Sequence, residues 1–204
     1  MIKPAPTIQH GGYSFIEVLV SITILLIAIV GPLTIASKGL QNAYFAREQN
    51  IAFFLAQEGL EGIHNMHLGS ALESFDAGQD GSQSWDWVGA VPSDCLNSNE
   101  PCGIVLSDGS NHGVLIACDE LPDGCALRYR NPATDGTFRY PYEHASGGGN
   151  LSPYTRSIYF EEIANGEIIR VRSVVSWDAR SFGSIRTVEL ENYLYNTSKY
   201  ELVL

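Results

Sequence analysis

No side chain in residues 18–36 carries a charge. That gap is about 19 residues long, close to the ~20 a helix needs to cross the hydrocarbon core of a bilayer. Positive charge is scarce throughout: 12 lysines and arginines stand against 23 aspartates and glutamates, a net charge of −11. A body this acidic repels phosphate backbones and counts against nucleic-acid binding. Catalytic signatures are missing too. There is no nucleophile elbow, no phosphate-binding glycine loop and no zinc-protease helix motif, and the carboxylates are scattered as on a solvated surface. The expectation is a protein that is not an enzyme, with no catalytic residues, cofactor or metal.

What is present begins with one carboxylate, Glu17, at the leading edge of the apolar run. Residues 1–12 are short and polar, hold Lys3, Pro4, Pro6 and His10, and end in Gly11-Gly12. A secretory signal has small residues after its apolar stretch, and here they come before it. A cut after Gly12 would leave the membrane segment on the mature chain and, by removing Lys3, take the net charge from −11 to −12.

The stretch Gly12-Tyr13-Ser14-Phe15-Ile16-Glu17-Val18-Leu19-Val20 resembles the prepilin cleavage and methylation motif of type IV pilins and type II secretion pseudopilins. The resemblance implies that a prepilin peptidase in the cytoplasmic membrane cuts after Gly12 and methylates the new amino terminus, Tyr13. Gly11, Gly12 and Tyr13 are thus the processing residues. Most relatives begin with Phe, and Tyr13 keeps the ring. Glu17 falls at the position of the family's assembly glutamate, where it implies a pair with the freed amine of Tyr13, its own or a neighbouring subunit's. A charge in a membrane helix costs roughly 2.5–3.5 kcal/mol at its centre and less near an edge, so a partner is expected.

Residues 13–66 read as one long helix, membrane-spanning over about 18–36. Gly31-Pro32 is expected to break it, as a kink or local melting, because proline removes a backbone bond and crowds the preceding turn. A proline near this position is common in pilin-like proteins. Beyond the membrane Leu40, Tyr44, Ile51 and Leu55 share a face at helical spacing, to pack on the chain's own domain and, in part, on neighbouring subunits. Such a helix is about 80 Å long at ~1.5 Å per residue, more than one small domain buries. Lys3 and Lys38 balance, so orientation rests on the leader and the cysteines: leader inside, domain outside.

Residues 67–204 read as an extracytoplasmic domain. Residues 67–92 are turn-rich, with Trp85 and Trp87; Asp76 and Asp80 lack the spacing of a calcium loop, and His64 and His67 read as surface histidines. The insert 93–126 holds Cys95, Cys102, Cys118 and Cys125. In both near pairs six residues lie between the cysteines, too many for the usual structural zinc spacing, so disulfides are expected. Sequential pairing, Cys95–Cys102 with Cys118–Cys125, and nested pairing, Cys102–Cys118 with Cys95–Cys125, both fit. The nested form would follow if 104–106 paired antiparallel with 114–116 around the tip 107–111. Arg128, Arg130 and Arg139 read as solvated arginines rather than a basic patch, and 127–153 as loops ending in Gly147-Gly148-Gly149.

Residues 156–195 read as a three-stranded antiparallel meander: 156–163, a turn at Asn165-Gly166, 167–177, then 186–195. In the middle strand Ile169, Val171, Ser173, Val175 and Trp177 share one face. The segments Tyr154-Thr155-Arg156, Ser173-Val174-Val175-Ser176-Trp177 and Arg186-Thr187-Val188-Glu189-Leu190 are similar to the C-terminal sheet of PilV-like minor pilins. The fold class expected is α+β, a long N-terminal helix packed on a small antiparallel sheet domain, pilin-like. The function implied is a minor pilin or pseudopilin, drawn from the cytoplasmic membrane into a filament of like subunits at the cell surface. The rivals are a tip subunit that captures a ligand or DNA, and a membrane-anchored domain that never polymerises.

Overall fold

The computed structural model describes residues 12, 14–76, 91–96, 100–106, 113–130, 141–144, 149–164, 167–179 and 183–196, and of 71–76 the backbone alone. The chain divides into two compact units, Met1–Tyr44 and Phe45–Leu204. Helix α1 (Phe15–Asp76) contributes to both.

In the first unit α1 starts at Ser14, whose carbonyl accepts from the N–H of Glu17 (3.0 Å) and of Val18 (3.3 Å). Ser14 and Glu17 have the spacing of a capping box, and a carboxylate in the first turn suits the positive end of the helix dipole. Hydroxyls along the run bond within the helix: Ser21 to Glu17 O, Thr23 to Val20 O and Thr34 to Val30 O. No hydroxyl among these three needs water, and the apolar side chains point outward, with Ile27 74 % and Ile35 75 % exposed. This one helix near the N-terminus is long and apolar enough to cross a membrane.

Two expectations for α1 are not met, local melting at Gly31-Pro32 and an end near Met66. It is helical on both sides of Gly31 and Pro32 and through them, so no melting occurs there. Proline forfeits a single N–H, and the long apolar flanks propagate the helix past it. Nor does α1 end near Met66: it continues to Asp76. Gly69 stays helical and buried instead of turning left-handed as a terminating glycine would, and Ala71-Leu72-Glu73 are strong helix formers.

The fold is α+β, as expected. In the second unit α1 packs on an antiparallel sheet of seven strands among the described residues: β1 (Cys102–Val105), β2 (Val114–Ala117), β3 (Ala126–Tyr129), β4 (Tyr142–Glu143), β5 (Asn150–Ala164), β6 (Ile168–Ala179) and β7 (Ser184–Tyr195). The meander β5-β6-β7 forms in register, with Phe160 opposite Val171 and Val175 opposite Val188. Asn165 and Gly166 lie outside the described residues, and the connection is closed by Glu167 N–H to Ala164 O (2.8 Å). Ile169, Val171, Ser173, Val175 and Trp177 all face the core. Strands β3 and β4 stand where loops were expected, because four and two residues are too few for alternation to show. Gly149, expected in a loose triplet, has φ +80°, and a Cβ there would lie 2.7 Å from Tyr129 O.

Sheet β5 is forked. One edge pairs along its length with β6, while the other is shared by β1, at Cys102 opposite Ile158, and β3, at Ala126 opposite Thr155. Helix α1 covers the inner face through small residues. Ala52 and Ala56 are fully buried with Leu55 against Tyr154, Val175 and Trp177, and Ile63 and Met66 lie against Ile104, Ile158 and Phe160. At Gly62 a Cβ would stand 2.7 Å from Ile104 Cδ1. The close approach therefore depends on the glycine.

Candidate functional site

Of the processing residues, Gly11 and Tyr13 lie outside the described residues, and Gly12 is exposed. Glu17 is exposed in the first turn of α1.

The four cysteines form two sequential disulfides, Cys95–Cys102 with Cα atoms 5.7 Å apart and Cys118–Cys125 with Cα atoms 5.1 Å apart. The β1–β2 hairpin does form, but its register sets Cys102 opposite Ala117, so the register that would favour nested pairing is not adopted. Cys118 instead gives its N–H to Pro101 O (3.0 Å) and opens the turn that leads to Cys125. The hairpin tip 107–111 lies outside the described residues.

Arg128 and Arg130 are partly exposed, and each is also paired with a carboxylate. Arg128 meets Asp123 (2.6 Å) and Arg130 meets Glu143 (2.8 Å), while Arg139 lies outside the described residues. His64 is exposed as expected; His67, one helical turn on, is buried, because α1 continues there under the sheet. Asp76 ends the helix, and Asp80, Trp85 and Trp87 lie outside the described residues. Among the described residues no group of three or more His, Cys, Asp or Glu is placed to hold a metal ion. An open cleft of about 350 Å³ lies between Gln57, Leu60, Glu61 and His64 of α1 and Glu191 and Asn192 of β7.

The most structured polar site in the second unit is one the sequence reading missed. Arg156 of β5 is fully buried. Its guanidinium donates to Leu55 O of α1 (3.2 Å) and Ile104 O of β1 (3.4 Å) and stands 3.7 Å from the Glu58 carboxylate. His144, directly after β4, is also buried. Ile104 N–H donates to its Nδ1 (3.1 Å), so Nε2 carries the proton and donates to Arg156 O (2.9 Å), with Cys125 O at 3.1 Å. Burial, then the Arg156 charge, lowers the ring to about 4. Burial raises the Glu58 carboxyl although Arg156 pulls it down, and burial lowers Arg156 although Glu58 supports its charge. The available signal was parity: Tyr154, Ile158 and Phe160 put even positions of β5 inward, and Arg156 is an arginine in that row.

Above this cluster runs an aromatic row, Phe45–Trp177–Tyr154–Tyr142–Tyr129, with ring centroids 5.1 to 6.5 Å apart. Burial pushes the Tyr154 phenol up to about 12, so it stays protonated, and its O–H reaches Glu48 O of α1 (3.5 Å). Row and cluster together bind α1 to the sheet by polar as well as apolar contacts. No family model, curated protein or solved structure matches this chain.

Proposed function

We propose that this chain is a pilin-like structural subunit, a minor pilin or pseudopilin, cut by a prepilin peptidase after Gly12 and built into a filament through α1. The observation that carries the reading is α1 itself. Its first unit exposes an uncharged run, has one carboxylate at its leading turn and satisfies the run's hydroxyls within the helix, which suits lipid and then a packed bundle of like helices. Its second-unit part is bound to an antiparallel sheet carrying two disulfides. On this reading the leader is cytoplasmic, the sheet domain lies outside, and the subunit's work is architectural, with no chemistry of its own.

Mass spectrometry of the chain recovered from membranes and from sheared filaments tests it. The expected product begins at Tyr13 with an N-methyl group and occurs in the filament fraction. A mature chain that begins at Met1 would refute processing. Correct processing with no filament fraction would favour a membrane-anchored domain that does not polymerise. Gly12→Val should block the cut, since a branched side chain replaces the smallest one.

A further inference from the structure

At the fork of the sheet a side chain does the work of a strand. Strands β1 and β3 reach the same edge of β5 on either side of Arg156, whose own N–H is taken by Cys125 O (2.9 Å). Between them the His144 ring takes Ile104 N–H at Nδ1 and gives its Nε2 proton to Arg156 O. From the same residue the guanidinium of Arg156 reaches Ile104 O and, on α1, Leu55 O. We propose that His144 is an acid-sensitive staple: only its neutral ring closes the fork, and acidification loosens the fork together with the grip of Arg156 on α1. This holds whether or not the chain enters filaments.

The chemistry of one proton explains the change. A proton taken from solvent at Nδ1 converts that nitrogen from acceptor to donor, facing Ile104 N–H at 3.1 Å. Ile104 N–H then has no acceptor in the ring. The new N–H can turn only to Ile104 O, also 3.1 Å away, which Arg156 already uses. A second cation now shares a buried site with Arg156. The carbonyls of Ile104, Cys125 and Arg156 ease the charge in part, but burial and the Arg156 charge outweigh them. Strand β1 brings backbone only, β5 brings Arg156, α1 brings Glu58 on the far side of Arg156, and Glu143 of β4 is engaged by Arg130.

The direction with pH follows from the ring's lowered value. Above its ordinary 6.5 the imidazole is neutral in folded and unfolded chains alike, and its contribution is complete. From 6.5 down to about 4 the unfolded chain takes up a proton that the folded chain refuses, so the folding equilibrium constant falls by up to about tenfold per pH unit. Below that the folded ring charges as well. Glu58 acts in the opposite sense: its raised carboxyl binds a proton first in the folded chain and returns some stability just above its usual range.

The test is urea unfolding of the full chain in detergent, followed by near-UV circular dichroism, from about pH 7.5 to about pH 4. Parent, His144→Asn and Glu58→Gln are compared. Asn keeps an acceptor for Ile104 N–H and does not titrate. The parent's folding equilibrium constant should fall on the order of a hundredfold more than that of His144→Asn across the window, while Glu58→Gln keeps the parent's steep fall. Equal pH dependence in parent and His144→Asn would overturn the proposal. Should His144→Asn not fold, nitrogen NMR of the parent decides: a proton on Nε2 and a midpoint near 4 support it, and a midpoint near the ordinary 6.5 refutes it.

Discussion

Adding a single methyl group at Gly103 should test how rigidly the fork is built. Gly103 lies in β1 opposite Ile116, and its φ is not positive, so alanine meets no backbone strain there. The obstacle is space. A Cβ would stand 2.7 Å from Leu121 Cδ1 and 2.9 Å from His144 Cγ. The leucine methyl can swing aside. The imidazole cannot, because it is held at Nδ1 by Ile104 N–H and at Nε2 by Arg156 O, at 3.1 and 2.9 Å. Overpacking of this kind costs about 1–3 kcal/mol. Stretching the ring's hydrogen bonds adds about 1 kcal/mol. Against that, alanine lowers the entropy of the unfolded chain by about 0.5–1 kcal/mol. The balance for Gly103→Ala is a destabilisation of about 1–3 kcal/mol, or a melting temperature lower by roughly 3–10 °C for a unit of this size. Thermal and urea unfolding of the full chain in detergent measure it. A double-mutant cycle isolates the cause: in a His144→Ala background the methyl has room, and its cost should shrink by about 1 kcal/mol or more. If Gly103→Ala matches the parent in stability, or costs the same in both backgrounds, the pinned-ring account is wrong.

Two further outcomes are expected. Free-thiol labelling of the denatured, unreduced chain should find no reactive cysteine, and replacing either disulfide by a serine pair should lower stability by roughly 2–3 kcal/mol, the chain-entropy value for so short a loop; labelling of two or more thiols would contradict the pairing. Glu17→Ala should still be cut after Gly12 but be lost from sheared filaments, because an unpaired amine in a dry helix bundle costs about 3–5 kcal/mol, and equal filament-to-membrane ratios for variant and parent would remove the assembly role of Glu17.

The sheet was readable wherever a strand was long enough to alternate. In β6 the five residues expected to share one face, Ile169, Val171, Ser173, Val175 and Trp177, are all buried. Helix α1 was harder because packing there selects for smallness. Of the expected stripe Leu55 is buried and Ile51 half-buried, Leu40 and Tyr44 are 57 % and 53 % exposed, and the fully buried Ala52 and Ala56 are not in it. Where a helix lies close on a sheet, Ala and Gly are the core, and a search for large apolar side chains misses them. The end expected near Met66 fails for a related reason: the stretch after it reads as turn-rich, yet its first glycine, Gly69, is helical and buried. The Arg156–His144 site had half a signal. An inward arginine in β5 can be seen from parity, but its histidine partner sits in a stretch that carries only a two-residue strand, and no periodicity points to it.

The pairing of each cysteine with its nearest neighbour in sequence bears on how the chain matures. A polypeptide delivered amino end first presents Cys95, then Cys102, then Cys118, then Cys125. An oxidant that joins thiols in order of arrival produces Cys95–Cys102 and then Cys118–Cys125, which are the native bonds. Nested bonds would have left Cys95 and Cys102 waiting, open to a wrong cross-link that only thiol–disulfide exchange could repair. Here the earliest available bond is already the correct one. Under such an oxidant each loop would close before β5 to β7 appeared, and the native bonds would form without thiol–disulfide exchange.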